Sequence, residues 1–260
     1  MAVVGIIGGS GLDDPDILQD PKEITMQTPF GRPSSSLMCG KINGTRALIL
    51  ARHGRQHQLS PGQVNNPANI HALKEAGATH IIATTACGSL RTAIGRGHFV
   101  VLDQFIDFTR FRKTSFVESF ENGAVHTSMA QPFDSVLRSS LYETAVSLDL
   151  AVHETGCVVT IEGPRFSTAA ESKMFRIWGA DVVNMSTAPE AMLANEAKIP
   201  YAAVAMSTDY DCWKEDEPPV TWDDILAVFH QNARNMKTLL KTAIGRLTSY
   251  IIAQEAQQRT

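Results

Sequence analysis

The chain lacks the features that mark several protein classes. Its four cysteines, Cys39, Cys87, Cys157 and Cys212, are widely spaced, and none falls in a Cys-x-x-Cys pair. That argues against a zinc cage or a disulfide framework. No apolar run reaches membrane-spanning length. The start, Met1-Ala2-Val3-Val4-Gly5, has no basic region leading into a long apolar one, so it reads as a first strand and not as a signal peptide. Basic residues are not in excess. The net charge of −4 argues against a nucleic-acid or anionic-membrane partner, either of which wants a basic face. There is no internal repeat, no low-complexity stretch and no Asp/Glu cluster that suggests a metal cage. What remains is a chain of 260 residues, 43 % hydrophobic and 19 % charged, ordinary for a reduced, cytoplasmic enzyme. The length is large for one domain but common in α/β folds, and it buries a core without staples. One domain over residues 1–260 is expected.

Apolar runs of strand length alternate with helical periodicity. Strands are expected at Val3 to Ile7, Ala47 to Leu50, His80 to Thr84, Phe99 to Leu102, Val158 to Ile161, Asp181 to Asn184 and Tyr201 to Met206. Helices are expected over Asn69 to Ala76, Ser135 to Leu148, Ala169 to Trp178 and Glu190 to Ala197. From Asp223 onward, apolar residues at Ile225, Phe229, Met236, Leu240, Ile244, Leu247 and Ile251 mark a long amphipathic helix with a break expected near Gly245. The stretch Arg110 to His126 is polar and reads as a surface loop. The alternation predicts one α/β layer fold.

In α/β sheets, ligands collect at the carboxyl ends of strands. Those ends nominate Gly8 to Gly11, Arg52 to His57, Thr84 to Ser89, Glu162 to Ser167, Asn184 to Thr187 and Asp209 to Trp213. Gly8-Gly9-Ser10-Gly11 lets backbone approach an anion, although a tight turn without ligand is the commoner meaning of such a run. It is neither a P-loop nor a dinucleotide fingerprint. Arg52 can fork onto a phosphate with two donors; a surface ion pair is the bland reading. Thr85 and Ser186 add hydroxyls. Asp209 and Asp211, two residues apart after an apolar strand, suit general-acid work on a leaving group, against a solvated turn. Phe166 suits stacking on a planar ligand, against a core role. Cys87 has no identifiable base partner and reads as packing.

The segments Gly5 to Asp14, Leu50 to His57, Thr84 to Arg91, Asp103 to Asp107, Val159 to Ser167 and Met206 to Glu215 closely resemble the methylthioadenosine phosphorylases, within the trimeric purine nucleoside phosphorylases. The likeness runs to about Leu247. It implies a central mixed β-sheet with a distorted barrel surrounded by helices, assembled as a homotrimer. It implies a phosphate site at Ser10, Arg52, His53, Thr85, Ala86 and Ser186, and Met185 under the ribose. It implies a base site at Phe166, Ser167, Asp209 and Asp211. His57, with His126 from a neighbouring subunit, falls near the 5′ group. Ser10 and Ser186 stand where many relatives have threonine, and both keep the hydroxyl. Trp222 stands where a smaller aliphatic residue is expected near the 5′ group, and the C-terminal extension that helps close that pocket in a relative has no counterpart.

The reaction implied is phosphorolysis of 5′-methylthioadenosine, with inorganic phosphate as co-substrate and no cofactor or metal. Asp209 is the expected proton donor to N7, and its carboxylate accepts from a 6-amino group better than it faces a 6-oxo group. The alternatives are a phosphorylase of inosine, guanosine or adenosine, a nucleoside hydrolase, and a non-catalytic purine- or phosphate-binding protein.

Overall fold

The computed structural model describes residues 2–9, 15–121, 123–215 and 221–257. Its strands and helices are, in chain order, β1 (Val3–Gly8), β2 (Gln19–Ile24), β3 (Leu37–Ile42), β4 (Thr45–Ala51), α1 (Asn66–Glu75), β5 (His80–Ser89), β6 (Phe99–Val101), β7 (Gln104–Phe108), α2 (Ser135–Ser147), β8 (Val152–His153), β9 (Cys157–Ile161), α3 (Ala169–Ile177), β10 (Val182–Asn184), α4 (Thr187–Glu196), β11 (Tyr201–Asp209) and α5 (Trp222–Gln257). Each strand and helix expected from periodicity is present. The stretch Arg110 to His126 carries no regular element among its described residues.

The strands form one mixed sheet in the order β2-β3-β4-β1-β5-β10-β9-β7, with β11, β6 and β8 branching from β5. β5 is the hinge of this arrangement. It runs parallel to β1 and to β11 and meets β10 antiparallel at its far end. The central mixed sheet surrounded by helices is the expected architecture, and the pairing of β11 with β5 carries a register shift between Ser207 and Asp209. α2 and α5 cover one face; Met236, Leu239, Leu240, Ile244 and Leu247 of α5 pack there with Leu137 and Leu141 of α2. Each fully buried Leu or Ile contributes about 1.5–3 kcal/mol. Ala191, Leu193 and Ala194 of α4 pack on the other face with Ile70 and Leu73 of α1.

Several boundaries differ from the sequence reading, for identifiable reasons. β5 continues to Ser89 and β11 to Asp209 because the two pair in parallel along their polar ends, with Thr85 opposite Ala205 and Gly88 opposite Asp209. α4 starts at Thr187 and not at Glu190, since Pro189 in a first turn lacks an N–H that would be unpaired anyway. β2, Gln-Asp-Pro-Lys-Glu-Ile, is almost wholly exposed and carries no apolar alternation; it is an edge strand, where Pro21 is tolerated. α5 passes through Gly245 without a break. A Cβ there would come 3.3 Å from Asn43 Nδ2, and that same amide donates to Lys241 O at 2.8 Å. The glycine makes room for a side chain bonded to the helix backbone.

Candidate active site

The carboxyl ends of β1, β4, β5, β9, β10 and β11 converge on a cavity of about 480 Å³, a size suited to a small-molecule ligand. Arg52, His53, His57, Thr85, Ala86, Phe166, Ser167, Met185, Ser186, Asp209 and Asp211 all line it. Two expected residues cannot be placed: Ser10 and the side chain of Trp222 lie outside the described residues. His126 does not line the cavity. It is exposed, with its ring 5.5 Å from that of Phe120.

At one end sits Arg52, 2 % exposed. It follows β4 directly, and its N–H donates to Gly8 O at 3.0 Å, tying the ends of β4 and β1 together. The guanidinium donates to both carboxylate oxygens of Glu190, from Nε at 2.5 Å and from Nη2 at 3.0 Å. Nη1 donates to Thr84 O at 2.8 Å. Tyr201 donates its hydroxyl to the same Glu190 at 2.9 Å. Burial opposes the charge on Arg52, but Glu190 more than offsets that and holds its pKa above the ordinary value. The fork that sequence reasoning assigned to an anion is therefore engaged by Glu190. One N–H on each Nη is left for another partner. Gly9 packs close beside it: a Cβ there would lie 3.2 Å from Arg52 Nη1, a tight contact.

Around Arg52 the polar groups form a connected set. Thr85 Oγ1 lies 3.2 Å from Ser186 Oγ. Asn184 organises both sides: its Nδ2 donates to Thr85 Oγ1 at 3.3 Å and to Thr187 Oγ1 at 2.5 Å, and its Oδ1 accepts from Thr160 Oγ1 at 2.8 Å. Ser186 occupies the N-cap of α4 without capping it through its side chain. Its hydroxyl is thus available at a helix N-terminus, where the backbone dipole favours negative charge. His53 Nδ1 donates to Leu59 O at 2.9 Å. Burial, then the charge of Arg52, pushes the pKa of His53 down to about 4.

At the other end lie the carboxyl groups. Asp209 is 5 % exposed. Its Oδ1 accepts from Asp211 N at 2.7 Å, and its Oδ2 lies 2.7 Å from Thr208 Oγ1. Burial raises the pKa of Asp209, and burial raises that of Asp211 as well. The hydroxyls of Ser172 and Ser167 lie close enough to the Asp211 carboxyl to oppose part of the rise that burial causes, although none of the three groups makes a hydrogen bond of full geometry. Phe166, 43 % exposed, offers its ring at the rim, and Met185 lies against Gly163, whose φ of +65° and missing Cβ admit its sulfur. Cys87 lines the cavity, but burial pushes its pKa well above the ordinary thiol value, so the packing reading stands.

Sequence reasoning missed Glu190, Tyr201 and Thr208 and gave Asn184 no role of its own. A buried arginine demands a carboxylate, but the partner stands 138 residues away and nothing local singles it out. Among the described residues no three His, Cys, Asp or Glu side chains gather as a metal set, and no helix is long and apolar enough to cross a membrane.

Comparison with known proteins gives a consistent result. Residues 3–245 match the model of the phosphorylase superfamily. The S-methyl-5′-thioadenosine phosphorylase of Danio rerio is 52 % identical over 247 residues, 94 % of this chain and 88 % of that protein. The protein of the same name from Xenopus tropicalis is 52 % identical over 250 residues, 95 % of this chain and 89 % of that protein. A solved structure of methylthioadenosine phosphorylase from Schistosoma mansoni in complex with adenine superposes with a TM-score of 0.91 at 38 % identity, covering 98 % of this chain and 97 % of that one. By sequence, fold and the extent of both matches, the chain belongs to the S-methyl-5′-thioadenosine phosphorylase family of the phosphorylase superfamily.

Proposed function

We propose that this chain cleaves 5′-methylthioadenosine with inorganic phosphate, releasing adenine and 5-methylthioribose 1-phosphate. The observation that carries this reading is one cavity with a hydroxyl-rich end at Arg52 and the N-terminus of α4, and a buried carboxyl at Asp209 whose pKa burial raises. Relatives with this name, and a Schistosoma mansoni variant solved with methylthioadenosine, support the substrate.

In this reading Arg52, Thr85, Ser186, the Ala86 N–H, His53 and Ser10 hold phosphate against the anomeric carbon, and positioning supplies a large share of the rate. The N-glycosidic bond loosens toward an oxocarbenium-like state that the anion stabilises electrostatically. Asp209, with its raised pKa, gives a proton to N7 of the departing base, and Asp211 and Ser167 complete the base contacts. Phe166 stacks on the purine, Met185 lies under the ribose, and His57 and Trp222 border the 5′ group. The enzyme is a single cytoplasmic domain that needs no cofactor and works as a homotrimer, in which His126 of one subunit reaches the neighbour's 5′ pocket. The exposed Phe111, Phe120 and Val125 on the same loop fit burial between subunits.

The test is base release from methylthioadenosine, adenosine and inosine, with and without phosphate. Phosphate-dependent release of adenine, fastest from methylthioadenosine, is expected. Release without phosphate would make the chain a hydrolase, a preference for inosine would make it a 6-oxopurine phosphorylase, and binding without release would leave a binding protein. Sedimentation of an active monomer would overturn the trimer.

A further inference from the structure

After Asp209 the chain leaves β11 and turns, and Asp211 lies within that turn. A turn lacks the ladder of bonds that stiffens a strand. Asp211 also has a φ of +52°, a left-handed conformation that a residue with a side chain keeps when its surroundings impose it. Side chains must therefore hold this carboxyl at its end of the cavity.

Trp213 supplies much of that hold. Its indole Nε1 donates to Ser89 O, at the end of β5, at 2.7 Å. Its ring packs against the cluster that includes Leu90, Phe175 and Val183. The guanidinium of Arg176 lies over the ring, with Cζ 3.6 Å from the centroid. That is a planar cation stacked on the face of the aromatic side chain that attracts cations best. The indole thus ties the turn to β5 on one side and to α3 on the other. Both elements also serve the base end. Gly88, next to Ser89, has room for no more than a hydrogen there, since a Cβ would lie 3.3 Å from Asp211 Cβ and 2.9 Å from Asp209 Oδ1. Phe166 and Ser167 lead into α3.

Three residues of α3 reach the turn from one helical face. Ser172 sets its buried hydroxyl beside the Asp211 carboxyl, Lys173 pairs with Glu215 at 2.9 Å, and Arg176 covers Trp213. Cys212 Sγ donates to Ser167 O at 3.2 Å. These contacts differ in weight. The pair of Lys173 and Glu215 is exposed and holds little, and a thiol is a weak donor. The indole bond and the stacked guanidinium are the firm fastenings.

We propose that Trp213, clamped between Ser89 O and the Arg176 guanidinium, is a positioning residue for the nucleobase and holds the turn that presents Asp211 to the cavity. Neither Trp213 nor Arg176 lines the cavity, so both act through Asp211. The clamp makes the turn and the start of α3 one unit, and the carboxyls and Phe166 meet the purine together. The proposal deepens the phosphorolysis reading and rests on its base site at Asp209 and Asp211.

The experiment compares wild type with Trp213→Phe, Arg176→Gln, Arg176→Lys and the double variant Trp213→Phe/Arg176→Gln, by calorimetry with adenine and by steady-state kinetics. Trp213→Phe keeps a ring and loses the indole N–H; Arg176→Gln uncovers the ring. Each is expected to lower adenine affinity and kcat/KM for the nucleoside about ten-fold, with the KM for phosphate within about two-fold of wild type, because a full 1 Å misplacement costs about 10²-fold. Arg176→Lys keeps the charge without the planar stack and should fall between wild type and Arg176→Gln. Both residues act through one ring, so the double variant should lose little beyond either single one. Variants that melt lower yet keep wild-type adenine affinity and kcat/KM overturn the proposal, and so do equal losses toward nucleoside and phosphate. Should Trp213→Phe fail to fold, Arg176→Gln decides alone. If no nucleoside is cleaved, the phosphorolysis reading fails by itself, and adenine affinity still decides on Trp213. Wild type that binds no adenine overturns both.

Discussion

Arg52 and Glu190 form a two-contact ion pair inside the protein, at 2 % and 0 % exposure, with Nε and Nη2 of one facing the two carboxylate oxygens of the other. Both groups are buried, so each supplies much of the other's solvation, with Thr84 O bonded to Arg52 and the Tyr201 hydroxyl to Glu190. The pair also fixes where the remaining N–H groups of Arg52 point.

Removing one partner should therefore expose the other. Glu190→Gln is expected to destabilise the fold by about 3–5 kcal/mol, the usual cost of breaking a buried pair. Phosphate should restore more stability to this variant than it adds to wild type, because the anion becomes the counter-charge of Arg52. Thermal melts with and without phosphate measure this, and equal phosphate shifts would count against Arg52 at the anion site. Arg52→Ala should raise the phosphate requirement and slow turnover strongly.

Thr208 has one hydroxyl hydrogen and two acceptors near it, Asp209 Oδ2 at 2.7 Å and Cys87 O at 3.2 Å. With Asp209 protonated, a single chain satisfies all three: Asp209 donates to Thr208, and Thr208 donates to Cys87. The amide in Asp209→Asn reproduces that chain, since its N–H₂ donates to Thr208 and its oxygen still accepts from Asp211. The folded-state pKa of Asp209 is raised. Its contribution to stability is thus full below the unfolded pKa and declines as pH rises through the folded one. The neutral amide escapes that decline. Asp209→Asn is expected to melt higher than wild type near neutral pH, while losing several kcal/mol of transition-state stabilisation with methylthioadenosine. Relative preference should move toward inosine-type substrates. An unchanged ratio of kcat/KM between adenine and hypoxanthine nucleosides would mean that Asp209 does not read the base.

Gly88 lies opposite Asp209 in the sheet, and a Cβ on it would be 2.9 Å from Asp209 Oδ1. Gly88→Ala should push the carboxyl out of place. The expected result is a fall of about 10²-fold in kcat/KM for the nucleoside, the scale of a 1 Å misplacement, with a smaller change in the KM for phosphate. Equal damage to both would point to general disruption of β5.

The N-terminus of α3 carries Phe166 and Ser167 to the cavity. Thr168 caps it by accepting from Glu171 N at 3.1 Å, and the Glu171 carboxylate accepts from Thr168 N at 2.8 Å. Thr168→Ala should cost about 1 kcal/mol. Glu171 bonds to Arg165 and to Thr168 N, and these hold its pKa down to about 2. Its stabilisation is present above the ordinary carboxylate range and disappears as pH falls toward 2. Arg165 is well exposed, so solvent screening keeps the effect modest. Melts of wild type and Glu171→Gln should converge in acid and separate near neutral pH.

Local pattern carried a large part of this protein. Apolar runs and their periods depend on neighbours a few residues apart, so β1, β4, β5, β9 and β11 and the helices α1 to α5 were legible in order, and the polar segments after the strands marked the cavity. Residues such as Arg52, Thr85, Ser186 and Asp209 could be nominated because their chemistry is written in their own side chains. Their working states could not. That Arg52 is held by Glu190, that Leu59 fixes the tautomer of His53, and that burial lifts Asp209 are consequences of chain segments brought together by folding. The same holds for β2, an edge strand recruited by β3, and for Gly245, which yields space to Asn43. Charge, tautomer and protonation respond to distance and dielectric, and both are set only when the sheet and its helices close around the site.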